Sequence, residues 1–382
     1  MTVWDPLPQT RAIEAVERQL AAGEVAHAWL LLGPAGSGKR PTAVAMSAAL
    51  NCPEQPGTGC GECSVCLRVQ RRRFPDVHHI VPEGPIIAVD VVRETIAPEA
   101  ARSPFEGRTK VFIIEEAERM NAAAQNALLK TLEEPQPDTV FILISDDEDE
   151  VLETIRSRCR IVRLDAIPEA RIVELLSRQG VAAEAALVAA RVAEGDLEYA
   201  LELVGEGSAG QRRRVWLGLP RRLTSPGAAM DAAGEVLAEA KAAVGELESV
   251  HKLEVQELAE ILERRGSAAA RNALAKRHKR ELRRREEQVL GEALDTLAAF
   301  YRDIVVLRRG GAEAITNIDV VSEIERWAAG SVPDASLVAA IERCVQTRAA
   351  LLRNANPALQ MEAVLVEVSR LVPAESTVGV GR

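Results

Sequence analysis

Apolar residues along the first 170 or so positions follow two spacings. Short unbroken runs at 28–32, 111–114 and 140–144 read as strands covered on both faces, and 161–164, interrupted by Arg163, reads as a last strand. Two further short apolar segments, 76–81 and 86–92, flank Pro82 and Gly84. Elsewhere the spacing is helical. Ile13, Val16 and Leu20 share a face within 9–22, which Gly23 ends; an alanine-rich stretch starts at Pro41; Asn121 caps 122–134, which Pro135 follows; a short helix is expected over 150–155. Strands alternating with helices predict a parallel α/β sheet with its ligands at the carboxyl ends of the strands. From Pro168 to Val204 the pattern is helical, 205–210 is a Gly/Ser-rich linker, and 212–372 shows helical spacing only. The chain therefore divides at 1–164, 165–207 and 208–372, with a tail at 373–382 expected to be disordered.

Composition narrows the function classes. With 47% hydrophobic and 27% charged residues among 382, the chain is an ordinary folded protein with room for more than one domain. A formal charge of −10 and only 3% aromatics argue against a chain that coats nucleic acid by itself. No apolar stretch is long enough to span a bilayer, and the opening Met1-Thr2-Val3-Trp4-Asp5-Pro6 shows no export signal, so a cytoplasmic location without membrane contact is expected.

Candidate chemistry centres on Gly33-Pro34-Ala35-Gly36-Ser37-Gly38-Lys39-Arg40. A strand precedes this loop and a helix follows it, the context in which backbone N–H groups cradle phosphates. Arg40 stands where a serine or threonine hydroxyl would ligate Mg²⁺, and a guanidinium cannot bind a cation. Glu115-Glu116 ends the strand at 111–114, where an NTPase holds Mg²⁺ and polarises water. Aspartate is usual at the first of these positions; the other reading is two solvated glutamates. Cys52, Cys60, Cys63 and Cys66 form a C-x7-C-x2-C-x2-C array among turn-forming glycines and prolines. Such an array suits a closed, structural tetrahedral Zn²⁺ site, against the alternative of reduced cysteines lining a turn. The basic runs 276–280 and 283–285 read as a solvated helix face paired with Glu281, Glu286 and Glu287, with DNA phosphate contact as the alternative.

The chain resembles the δ′ subunits of bacterial DNA polymerase III clamp loaders, which are AAA+ proteins. The resemblance rests on His27-Ala28, the four-cysteine insert, Asn126-Ala127-Leu128-Leu129-Lys130-Thr131-Leu132-Glu133-Glu134-Pro135 and Ser157-Arg158-Cys159. It continues more weakly into Asn354-Ala355-Asn356-Pro357 and Met361-Glu362-Ala363-Val364-Leu365. It implies an AAA+ domain over 1–164 with a zinc module at about 52–66, a small helical lid over 165–207, and an all-α collar over 208–372 through which five subunits assemble. The implied partners are γ/τ and δ subunits in a hetero-pentamer, with the sliding clamp and primed DNA in the complex. The implied role is a stator in the replicative holoenzyme, a nucleotidyltransferase complex. Arg158 would then act in trans as an arginine finger on a neighbour's ATP. Glu116 and Ser145 fall at catalytic and sensor positions, and Glu198 falls where active relatives carry an arginine. With Arg40, Glu115 and Glu198 all departing from the active pattern, no intrinsic ATPase is expected. Gly33, Gly36, Gly38 and Lys39 survive, so ATP binding is expected to be weak or absent. Two rivals stay open: an active AAA+ ATPase motor, and a zinc-organised DNA-binding module using 276–285.

Overall fold

Strand β1 (Ala28–Leu32) is buried at every position, as its all-apolar sequence requires. In the computed structural model, which describes residues 2–8, 10–82, 84, 86–205, 209–262, 268–351 and 355–373, β1 lies within a five-stranded sheet. Its other strands are β2 (Val77–Ile80), β3 (Lys110–Ile114), β4 (Thr139–Ser145) and β5 (Arg160–Arg163), in the order β2-β3-β4-β1-β5, and every pairing is parallel. Successive side chains alternate between two cores. Trp29, Leu31, Val111, Ile113, Val140 and Ile142 join one; Leu30, Leu32, Phe112, Ile114, Phe141 and Leu143 join the other.

Helices α1 (Arg11–Ala21), α2 (Lys39–Asn51) and α3 (Ser64–Gln70) supply residues to the first core. Helices α4 (Ala97–Ala100), α5 (Ala122–Glu133) and α6 (Glu153–Arg156) supply the second. The apolar segment at 86–92 forms no sheet strand: Ile87 makes a single bridge to Met120, and a π-helical turn, Val91–Ile96, runs into α4. Asp76, just before β2, is buried and accepts hydrogen bonds from the amides of Phe105 (2.6 Å), Glu106 (2.9 Å) and Gly107 (2.7 Å). Burial raises its pKa, but these amides and Lys110 outweigh it and hold the carboxyl below its ordinary value. The Phe105 side chain at the tip of this loop is 84% exposed. Helices α7 (Glu169–Arg178), α8 (Ala183–Val192) and the start of α9 (Leu197–Val204) complete the first of two compact units, Met1–Leu201.

The second unit, Glu202–Arg382, contains helices and no strand among its described residues. It comprises α10 (Ala209–Leu217), α11 (Leu219–Arg222), α12 (Pro226–Leu262), α13 (Ala268–Arg308), α14 (Val321–Ala328), α15 (Asp334–Leu351) and α16 (Pro357–Leu371). Phe300, Tyr301 and Trp327 meet edge to face in its core. Asp303, fully buried, accepts from the amides of Thr316 and Asn317 and from Asn317 Nδ2. In the linker expected at 205–210, positions 206–208 lie outside the described residues, and Ala209 and Gly210 already belong to α10. Asn354 and the tail beyond 373 also lie outside them.

Candidate nucleotide site and metal centre

The ends of β1, β3 and β4 open onto one cleft of about 280 Å³. After β1 the chain turns through left-handed Gly36 (φ +71°) and Gly38 (φ +86°), and α2 starts at Lys39. Glu115 and Glu116 follow β3, and Ser145, the last residue of β4, sits in register with Leu32 of β1. All eight residues singled out for nucleotide contact, Gly33, Gly36, Gly38, Lys39, Arg40, Glu115, Glu116 and Ser145, lie at these three strand ends.

Their side chains are engaged with one another and with the chain itself. Lys39, 5% exposed, donates to the carbonyls of Gly33 (2.7 Å) and Pro34, with Asp146 Oδ1 at 2.8 Å. The ammonium that would reach phosphates is therefore held by the loop. Arg40 Nε donates to Glu115 Oε2 at 2.7 Å, and Arg40 Nη1 lies 3.7 Å from Glu198 Oε2. The two positions that would ligate Mg²⁺ are thus closed by an internal ion pair. Arg72 at 3.6 Å and His79 at 3.8 Å add positive or polar neighbours on the Glu115 Oε1 side. Burial pushes Glu115 upward, but His79, Arg40 and Arg72 outweigh it and lower the carboxyl to about 2. At 3.8 Å the His79 contribution is electrostatic, beyond hydrogen-bond length.

The turn before α9 and the first residues of α9 close the cleft over the loop. A Cβ built on Gly36 would lie 2.0 Å from Asp196 Cγ and 2.4 Å from Asp196 Cα. Asp196 therefore rests directly on the phosphate loop, and its Oδ1 accepts from the amide of Tyr199 at 2.9 Å. Five carboxylates, Glu115, Glu116, Asp146, Asp196 and Glu198, line the cleft against Lys39 and Arg40. That balance opposes a polyphosphate. Glu116 adopts φ +53°, uncommon for a side chain with a Cβ, and pairs with Arg119 at 2.9 Å. The Ser145 hydroxyl donates to Asp147 O at 2.7 Å and accepts from Asp147 N at 3.2 Å, turned into the acidic loop. Asp146, Asp196, Arg72 and His79 were not anticipated from sequence; only the acidity of 146–150 and the proximity of Asp196 to Glu198 hinted at the first two.

Arg158 does not line this cleft. It follows α6 with its side chain 35% exposed, joins Glu133 at the end of α5 (Nη2 to Oε1, 2.5 Å), and donates to Thr154 O at 2.8 Å. The guanidinium is placed at the surface by an ion pair that solvent can reach.

The cysteine array converges. Cys52 caps the end of α2, Cys63 caps the start of α3, and left-handed Gly57, Gly59 and Gly61 bring the connecting loop round. All four sulfurs lie within 4.8 Å of one another, with Cys52 Sγ 3.7 Å from Cys60 Sγ and 3.9 Å from Cys63 Sγ. Thiolates about 2.3 Å from a tetrahedral ion sit about 3.8 Å apart, so the spacing fits a metal and is far beyond a disulfide. Amide donors at residues 62 and 63 lower the Cys60 thiol to about 7, whereas burial raises the thiols of Cys63 and Cys66. These four residues could hold a metal ion.

Residues 8–168 match the profile of the family described as DNA polymerase III, delta subunit. Over that span the chain is similar to this family. Within the matched segment lie the loop Gly33–Arg40, the cysteine array, Glu115, Glu116, Ser145 and Arg158. The chain is 45% identical over 137 residues to DNA polymerase III subunit delta′ of Pseudomonas aeruginosa, spanning 35% of this chain and 42% of that relative. It is 36% identical over 202 residues to the delta′ subunit of Haemophilus influenzae, spanning 51% and 62%. It is also 32% identical over 215 residues to the tau subunit of Escherichia coli, spanning 54% and 33%. The match thus covers about half the length of the delta′ relatives. Among solved structures, a DNA polymerase III gamma subunit-related protein of Thermotoga maritima aligns over 94% of this chain and 99% of its own at 20% identity and a TM-score of 0.42.

Proposed function

We propose that the protein is a delta′-type clamp-loader subunit of a bacterial DNA polymerase III holoenzyme, acting as a stator that does not hydrolyse ATP itself. The Arg40–Glu115 ion pair carries this reading, because it fills both Mg²⁺-ligating positions with side chains that satisfy each other. In this reading Arg158 leaves Glu133 to stabilise charge at the γ-phosphate of an ATP held by a neighbouring subunit. The surface position of the Arg158–Glu133 pair supports that exchange, since an exposed ion pair costs little to open. The helices over 165–207 are the lid, 208–372 is the collar, and γ/τ and δ subunits are the partners in a hetero-pentamer acting on the sliding clamp and primed DNA in the cytoplasm.

The cysteine centre binds structural Zn²⁺. With four sulfur ligands it leaves no position for water, so its ion shapes the α/β domain and takes no part in a reaction. ATP binding by this chain is weak or absent, because Asp196 rests on the loop and the cleft is acid-rich. The motor reading draws on the likeness to tau, but it requires the metal that Arg40 and Glu115 displace. Steady-state ATPase measurement on the purified chain, alone and reconstituted with γ/τ and δ subunits, tests the proposal. The expected result is no turnover alone and Arg158-dependent turnover in the complex; robust turnover by the unmodified chain alone would overturn it.

A further inference from the structure

The long helices α12 and α13 pack along one another, and over part of their length the seam is apolar, built from residues such as Val236, Ala240, Ala243, Val289, Leu290 and Ala293. Between 244 and 288 that seam changes character. Among the described side chains of this stretch only two are buried, and both are histidines: His251 at 6% exposed on α12 and His278 at 8% on α13. Val250 and Leu253, beside His251, are exposed at 59% and 62%. His251 stands eight positions beyond Ala243, about two helical turns along the same face. The imidazoles therefore occupy the place of seam residues.

We propose that His251, His278 and Glu281 form a second divalent-metal site, of the zinc class, that cross-links α12 to α13. The three ligand atoms lie within 4.8 Å of one another. His251 Nε2 is 2.8 Å from Glu281 Oε2, and the two imidazoles stack with centroids 3.8 Å apart and planes 3° from parallel. Glu281 follows His278 by three positions, so both project from one face of α13 toward His251. Two imidazoles and a carboxylate are a donor set that zinc accepts with a fourth position left for water. Tilting the rings out of the stack aims one nitrogen of each at a common ion, at about 2.0–2.1 Å. The ion compensates for burying polar rings where the neighbouring seam uses alanine, valine and leucine. It also ties the helices at a point where the described apolar neighbours Val250 and Leu253 are exposed. The site is independent of the cysteine centre, which lies in the other compact unit.

Cobalt titration of the metal-stripped full-length chain separates the two centres. The first equivalent should produce the intense thiolate charge-transfer absorption of a cysteine site. A second equivalent should add only the weak visible bands of nitrogen and oxygen ligands, and Zn²⁺ should displace it. His278→Ala and Glu281→Gln should each lose the second equivalent and keep the first. Glu281→Gln preserves side-chain size, so the test stays readable if His278→Ala loosens the helices. Uptake of one equivalent only by the unmodified chain, or a second equivalent retained in Glu281→Gln, would overturn the site.

Discussion

Arg40 and Glu115 lie 75 residues apart in the chain, yet Nε and Oε2 meet at 2.7 Å. Glu115 is buried, so its charge depends on that contact and on Arg72 and His79 nearby. Removing Arg40 with alanine should destabilise the α/β unit by about 1–3 kcal/mol, the cost of leaving a buried carboxylate under-compensated. The Arg40→Ala/Glu115→Ala double variant should cost less than the sum of the singles. Urea unfolding of the three variants measures the coupling; strict additivity would mean that the pair contributes nothing.

The same carboxylate sets a pH dependence. Its folded value, about 2, lies below the ordinary 4.5. The stabilisation it provides is therefore present above about pH 4.5 and lost as pH falls toward 2. A shift of that size corresponds to roughly 3 kcal/mol. Acid unfolding of the Glu115→Gln variant should show a flatter slope through this window than the unmodified chain. Equal slopes would place the acid sensitivity elsewhere.

Arg158→Ala should change stability by less than about 1 kcal/mol, because its Glu133 partner is exposed. In the reconstituted complex ATP turnover should fall by about 10³-fold or more, while the subunits still assemble. Unchanged turnover at normal assembly would remove the finger role.

Asp196→Ser keeps a side chain able to cap α9 and removes the carboxylate resting on Gly36. Binding of a fluorescent ATP analogue should strengthen by at least about tenfold, since one nearby like charge is worth more than about 1.4 kcal/mol in a partly screened cleft. No change would show that Asp196 is not what opposes the nucleotide.

The proposed zinc centre predicts that replacing Cys63 with serine loses the metal and lowers the melting temperature of the α/β unit, because structural zinc contributes folding free energy directly. Metal analysis beside a thermal melt reads both effects. Full zinc retention would show that Cys63 is not a ligand.

The strands could be read in advance because a parallel sheet buries both faces and leaves unbroken apolar runs, as at β1, β3 and β4. The convergence of the four cysteines was equally visible, since they fall within 15 positions. Arg40 could be seen as unfit for Mg²⁺, but its partner could not be named: Glu115 and Glu198 approach only after the sheet and the helices near Asp196 are in place. Arg158 is a similar case, its link to Glu133 depending on where α5 ends. His251 and His278 gave no local signal, being single histidines in charged helical sequence. The apolar segment at 86–92 was given no element from sequence; its residues serve a π-helical turn and one bridge to Met120.

The Asp76 carboxylate fixes three successive amides beneath a phenylalanine ring that is 84% exposed. Those amides should exchange with deuterium slowly although they belong to a surface loop, since each opening would strand a buried negative charge. The backbone entropy of holding Phe105 outward has thus already been lost in folding. Any surface that closes over the ring gains its apolar area with little further ordering of the chain beneath it.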